Sequence, residues 1–297
     1  NRSQPPVFSL IVSRYMEECI TTLEERKEFL RRVLPLLEKE YNYWMKERLA
    51  EIIIPGYGNV SLNVYRTEHW IPRPESFVED RATASLPQFD SELKKQQLYQ
   101  NIASAAESGW DFSSRWLILS GKTNIYKGLE DIQTVMLIPT DLNVFMLKFE
   151  SLLSEFFQVI DNPTKDKEYQ ARYQKRQKAM DVTLKRLENG SPKWKDFDMG
   201  TMKSANRSFY ISDISPIWFS GVDVDSAVLD LIIEENHAIL FKYPGGIPVS
   251  EDNTGQQWDF PNVWAPMQHL FIDSLLRADK GSEGIYYKHA LNISQRF

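Results

Sequence analysis

Residues 139–160 read Pro-Thr-Asp-Leu-Asn-Val-Phe-Met-Leu-Lys-Phe-Glu-Ser-Leu-Leu-Ser-Glu-Phe-Phe-Gln-Val-Ile. Leu142, Phe145, Phe149, Leu152, Leu153 and Phe156 recur at the 3.6-residue spacing of one helix face. Ile138-Pro139-Thr140-Asp141 supplies the start signal. The same period extends to both sides. From Glu18 to Arg48 the apolar positions are Leu23, Phe29, Leu30, Val33, Leu37, Tyr41 and Trp44, with Pro35 predicted to split or kink the helix. Ser91 to Ala106 places Leu93, Leu98, Ile102 and Ala105 on one side. Lys165 to Leu187 is charge-rich and reads as an outer helix that stops at Gly190.

Further along, Asp223 or Asp225 is predicted to cap a helix with the stripe Val228, Leu231, Ile232 and Ile239. Pro261 suits the first turn of another helix, which carries Trp264, Met267, Leu270, Phe271 and Leu275. A last helix spans Gly284 to about Gln295. Glu234 and Glu235 read as a solvated face. The one strand-like run is Ser208 to Ile214. The fold class is therefore all-α, an array of helical hairpins either closed into a toroid or left open, and periodicity alone does not decide between the two.

Composition narrows the function classes. The chain has 297 residues and a net charge of 35 − 41 = −6. That balance argues against a binder of nucleic-acid phosphates, which needs a basic field. A single cysteine, Cys19, excludes an internal disulfide and a thiolate zinc cage. No apolar run approaches the twenty residues of a membrane-spanning helix. Aromatic residues make up 12% of the chain, enough for a large core or an aromatic sugar cleft.

The unusual residues gather in loops, where sites sit on helical scaffolds. In Glu107-Ser108-Gly109-Trp110-Asp111-Phe112-Ser113-Ser114-Arg115-Trp116, Gly109 permits a tight turn. Asp111 stands between two aromatic residues whose low polarity would raise its pKa and favour the protonated acid. The plainer reading makes Asp111 a helix N-cap and Arg115 a surface cation. In Ile71-Pro72-Arg73-Pro74-Glu75-Ser76 two prolines hold Arg73 extended. Arg73 and Glu75 then offer donors and acceptors to sugar hydroxyls, or simply a surface ion pair.

Pro244-Gly245-Gly246-Ile247-Pro248 forms a loop able to approach a ligand. In the following Gly255 to Pro266, Trp258 offers a flat wall to a pyranose, with Gln257 and Asp259 taking hydroxyls, while Trp264 reads as core. Arg2-Ser3-Gln4-Pro5-Pro6 is a polar triplet before a stiff diproline. His69, His237, His269 and His289 lack zinc spacing, and no nucleophile elbow, phosphate loop or dinucleotide fingerprint occurs.

Taken together, RSQPP at Arg2 to Pro6, RPES at Arg73 to Ser76, ESGWDFSSRW at Glu107 to Trp116, PTDLN at Pro139 to Asn143, and GGIP with GQQWDFPNVWAP at Gly245 to Pro266 resemble the α,α-trehalases. Their order and spacing match across the whole chain. The resemblance implies an (α/α)6 toroid, with residues 1–297 a single partial catalytic domain. It also implies hydrolysis of α,α-trehalose to two glucose molecules with inversion, and no metal or organic cofactor. Asp111 matches the general acid. Arg2, Ser3, Gln4, Arg73, Pro74, Glu75 and Gly109 match sugar-binding positions, and Trp258 lines the pocket. Trehalose is then the small-molecule partner, with no nucleic acid and no membrane-spanning segment in this chain.

Two family features are absent from these residues: a Gly-Gly-Arg-Phe signature upstream, and a Gly-Gly-Glu-Tyr stretch downstream whose Glu is the family's catalytic base. Glu283 lacks the surrounding pattern and is not given that role. The expectation is the middle of a trehalase, with little activity of its own. The alternatives are an inactive trehalase-like fragment or isoform that binds only sugar or a partner chain, and a helical interaction protein unrelated to sugar. Sequons at Asn1, Asn59, Asn189, Asn206 and Asn292 favour a secreted or membrane-anchored extracellular protein, with a cytoplasmic one as the alternative.

Overall fold

A computed structural model describes residues 3–117, 128–188, 191–205, 207–219, 226–279 and 284–297. Ten helices dominate these residues, α1 (Phe8–Cys19), α2 (Leu23–Glu47), α3 (Phe77–Thr83), α4 (Glu92–Ser108), α5 (Thr140–Val159), α6 (Pro163–Thr183), α7 (Ser226–Glu235), α8 (His237–Phe241), α9 (Ala265–Ala278) and α10 (Ile285–Arg296). None of the helices is long and apolar enough to cross a membrane among the described residues.

The centre is α5. All six of its expected face residues are buried, and it packs along α6 and against α1 and α2. A buried polar network ties these helices together. Arg176 of α6 donates from Nε to Glu150 of α5 (3.0 Å), which also accepts from the Tyr41 hydroxyl of α2 (2.8 Å). Arg176 further donates to the side-chain oxygens of Asn63 (2.8 Å) and Asn143 (3.0 Å). The helix α6 is thus not a purely solvated outer helix: its charge-rich sequence conceals a buried arginine. It ends at Thr183, and a hairpin of Lys185–Glu188 with Ser191–Trp194 follows.

Pro35 does not split α2, which runs unbroken from Leu23 to Glu47 behind a capping box of Thr22 and Glu25. The helix loses only the one hydrogen bond that position 35 cannot donate. Directly after it comes a hairpin that periodicity missed, β1 (Leu49–Ile54) and β2 (Gly58–Asn63), antiparallel with Leu49 opposite Asn63.

Ser208–Ile214, expected as a strand, is not one. Residues Ile211–Ile217 form a 3-10 helix. Ile211, Ile214 and Ile217 are all buried, at the three-residue spacing that aligns side chains on such a helix. Asp213 closes its start by accepting the Tyr210 N–H (3.1 Å). The helix expected from Pro261 begins at Ala265 instead, after a cis Phe260–Pro261 bond. Asp223 and Asp225, expected as caps, and the expected stop at Gly190 lie outside the described residues.

Candidate active site

The five sequence clusters meet where α4 ends. Gly109 terminates α4 in the left-handed region at φ 79°, a conformation costly for residues with a Cβ. The N-terminal segment crosses this point: a Cβ on Gly109 would stand 3.9 Å from Pro5 Cγ. The Ser3 N–H donates to Glu107 Oε1 at 2.9 Å. Glu107 is fully buried and also accepts from Arg48 Nε (2.9 Å to Oε2) and Nη2 (3.0 Å to Oε1). A buried ion pair therefore docks the RSQPP segment onto the segment that carries Asp111. Gln4 is exposed; Arg2 lies outside the described residues.

Arg73 arrives from the loop before α3. Its backbone N–H and Nε donate to Asp80 Oδ2 (2.9 and 3.0 Å), and its Nη2 donates to Asp80 Oδ1 (2.7 Å). The guanidinium carbon lies 5.0 Å from the centre of the Phe112 ring, so Asp80 and Phe112 together aim Arg73 at the residue after Asp111. Pro74 and Glu75 form a short exposed 3-10 turn directly after it. Arg73 is thus a buried, pre-oriented group and not a surface cation.

Asp111 is half-buried. Arg115, which the plainer reading placed at the surface, is fully buried. It pairs with Asp141 (Nη1 to Oδ2 2.8 Å, Nη2 to Oδ1 2.7 Å) and with Asp196 (Nε to Oδ2 2.8 Å, Nη2 to Oδ1 3.0 Å). Burial alone would push this guanidinium down; the two carboxylates outweigh it and hold its pKa well above the ordinary value. Burial likewise raises Asp196, and Arg115 overcomes that and holds the carboxyl below its usual range. Each aromatic neighbour of Asp111 therefore carries an arginine on a face, Arg115 on Trp110 and Arg73 on Phe112. Its surroundings are more polar than two rings alone would make them.

Trp258 belongs to a stack of indoles. It is 7% exposed. Trp110 stacks on it at 5.2 Å and 22°, and Trp264 at 4.5 Å and 3°. Trp258 thus shares a stack with two other indoles. Trp264, expected in the core, is the half-buried leaf, and its Nε1 donates to the Gln257 carbonyl (3.1 Å). Asp259 is fully buried and bonded to protein donors, so it does not take sugar hydroxyls. The Gly-Gly turn approaches a side chain instead of a ligand: Gly246 has φ 102°, and a Cβ there would stand 2.9 Å from Gln268 Oε1.

Sequence reasoning missed Arg48, Asp80, Asp141 and Asp196. None is near its partner at a recognisable spacing, apart from Asp80, seven residues from Arg73. A separate cavity of about 390 Å³ is lined by Trp194, Lys195, Arg207, Asp213 and Asn236 among others, none of them singled out as a site residue. Burial raises the Asp213 carboxyl to about 6 despite Lys195 Nζ at 2.6 Å. No group of three or more His, Cys, Asp or Glu is placed to hold a metal ion among the described residues.

The family model for trehalases matches residues 1–297. The chain belongs to the trehalase family. It is 38% identical to the trehalase of Dictyostelium discoideum over 281 residues, covering 93% of this chain and 45% of that protein. It is 37% identical to the human trehalase with the same coverage, and 36% identical to the trehalase of Apis mellifera over 100% of this chain and 45% of the relative. The chain thus spans about half the length of the curated trehalases it matches.

Among solved structures, the neutral trehalase Nth1 of Saccharomyces cerevisiae superposes with a TM-score of 0.64 at 17% identity, covering 94% of this chain and 53% of that one. A mannosylglycerate hydrolase of Thermus thermophilus gives 0.58 at 13% identity, over 99% and 65% of the two chains. These likenesses establish the helical toroid fold.

Proposed function

We propose that residues 1–297 form a single partial (α/α)6 domain, the acid-bearing part of an enzyme that hydrolyses α,α-trehalose to two glucose molecules with inversion. The observation that carries this reading is the convergence on one half-buried carboxylate. Asp111 stands in the chain between two aromatic residues, each with an arginine over its ring, in a loop to which the RSQPP, RPES and QWDF segments are all docked. Membership of the trehalase family supports the substrate.

In this chemistry the Asp111 acid protonates the bridging oxygen as its bond to the anomeric carbon breaks. A second carboxylate deprotonates a water that attacks from the opposite face. The family resemblance assigns that base to the Glu of a Gly-Gly-Glu-Tyr stretch, a run that does not occur in these 297 residues. Arg2, Ser3, Gln4, Arg73, Pro74, Glu75 and Gly109 bind the sugar and hold its bridging oxygen against the acid. Asp80 takes the Nε and Nη2 side of Arg73 and so fixes the plane in which the guanidinium meets a hydroxyl.

Proton NMR of the first turnovers of the complete enzyme, base-bearing segment included, tests the reading. Attack from the face opposite the leaving group inverts one glucose to the β anomer, while the departing glucose stays α. Equal α- and β-glucose before mutarotation is expected; α-glucose alone contradicts inversion, and no glucose contradicts hydrolysis.

We also propose an extracellular setting, secreted or membrane-anchored. The sequon asparagines Asn59 and Asn292 are exposed, which supports it. A mass decrease on endoglycosidase treatment of the natural protein is the expected result, and an unchanged mass contradicts it.

A further inference from the structure

Asp259 is fully buried, and among the described residues its carboxylate is held by neutral donors from two loops. Oδ1 accepts the hydroxyls of Ser113 (2.7 Å) and Ser250 (3.3 Å). Oδ2 accepts the Ser114 N–H (2.9 Å) and the Thr254 hydroxyl. One residue earlier, the Trp258 N–H donates to the Phe112 carbonyl (2.8 Å), and its ring stacks on Trp110. Residues 110, 112, 113 and 114 are therefore all gripped by 258 and 259, and the residue they enclose is Asp111. Ser113 and Asp259 lie 146 positions apart in the chain, so this grip exists only in the folded enzyme.

We infer that Asp259 is a positioning residue, which sets the place of the Asp111 carboxyl through Ser113 and Ser114 and thereby controls protonation of the leaving oxygen instead of sugar binding. The inference rests on the reading of Asp111 as general acid. An ionised carboxylate suits the task because it accepts from every side and its bonds to donors are short and strong. An amide in its place keeps the shape but turns one acceptor into a donor. The Ser114 N–H still needs the amide oxygen, so the new NH2 must face the Ser113 and Ser250 hydroxyls, which lose a charged acceptor and loosen their hold on the acid loop. A displacement of about 1 Å in a reacting group costs on the order of 10² in rate.

The experiment compares Asp259→Asn, Ser113→Ala and Asp111→Asn in the complete enzyme on two substrates. Trehalose needs a proton at its leaving oxygen; α-glucosyl fluoride releases fluoride without one. Asp259→Asn is expected to lower kcat on trehalose about 10–100-fold with KM within about threefold. Turnover of the fluoride should stay within about threefold of the unaltered enzyme, since acid catalysis is not in play there. Ser113→Ala should show the same selectivity with a smaller loss, and it carries the test if Asp259→Asn does not fold. Equal losses on both substrates, or undiminished trehalose turnover, overturn the inference if Asp111→Asn is selective for trehalose. Lack of selectivity in Asp111→Asn itself overturns the acid reading instead.

Discussion

The Arg115 guanidinium lies 4.5 Å from the centre of the Trp110 ring, directly before Asp111 in the chain. It also lies 4.6 Å from the centre of the Trp116 ring, whose Nε1 donates to the Trp110 carbonyl (3.0 Å). A charge clamped by two carboxylates and in contact with two indoles has little freedom, and that rigidity passes to the loop that bears Asp111.

Replacing Arg115 by Met strands Asp141 and Asp196 as buried carboxylates without their cation. Loss of one partner from a buried ion pair costs about 3–5 kcal/mol. Urea unfolding of Arg115→Met should register a loss in that range. A loss under about 1 kcal/mol would mean the clamp is not structural.

Arg73→Lys keeps the charge but removes the planar fork that meets Asp80 on both oxygens and the face that lies over Phe112. Steady-state kinetics on trehalose should show KM raised about tenfold, the equivalent of roughly 1.4 kcal/mol of lost binding. An unaltered KM would remove Arg73 from the sugar site.

Glu40 supplies a pH-dependent prediction. Burial raises its carboxyl to about 7, and its Oε2 lacks a hydrogen-bond partner among the described residues. The folded protein therefore binds this proton more tightly than the unfolded chain, whose value is near 4.5. Stability from this group is full below about pH 4.5 and is lost as pH rises through about 7. Glu40→Gln should leave Tm unchanged near pH 4 and raise it at pH 8 by about 2–4 °C, the shift that about 1 kcal/mol produces. Equal effects at both pH values would contradict this.

Helices with one wide apolar face were legible in the sequence, because burial acts on every turn: the α5 face is buried at all six expected positions. Local signals failed where non-local packing or short-range bonding took over. Ile52-Ile53-Ile54 shows no alternation, and the hairpin it forms is hidden behind the helical pattern that ends at Arg48. Ser208–Ile214 has a strand's composition, but Asp213 and the three-residue spacing of its isoleucines close it into a 3-10 helix.

The candidate site divides along the same line. The turn at Gly109 and the motifs that carry Ser3 and Arg73 were legible as contiguous stretches, but the docking of Ser3 and the burial of Arg73 were not. The groups that hold those motifs in place, Asp259 on Ser113, Asp196 on Arg115 and Arg48 on Glu107, pair across 146, 81 and 59 positions, and no spacing rule announces them. Trp258 shows the same limit: nothing in its polar loop announces the two other indoles stacked on it.

The central claim is that Asp111 delivers the proton to the oxygen joining the two glucoses. The most direct measurement is trehalose turnover by Asp111→Asn in the complete enzyme, with trehalose affinity measured alongside. The account predicts a fall in kcat of about 10²–10⁴, the range of a lost general acid, with affinity largely kept. Turnover close to that of the unaltered enzyme would contradict it.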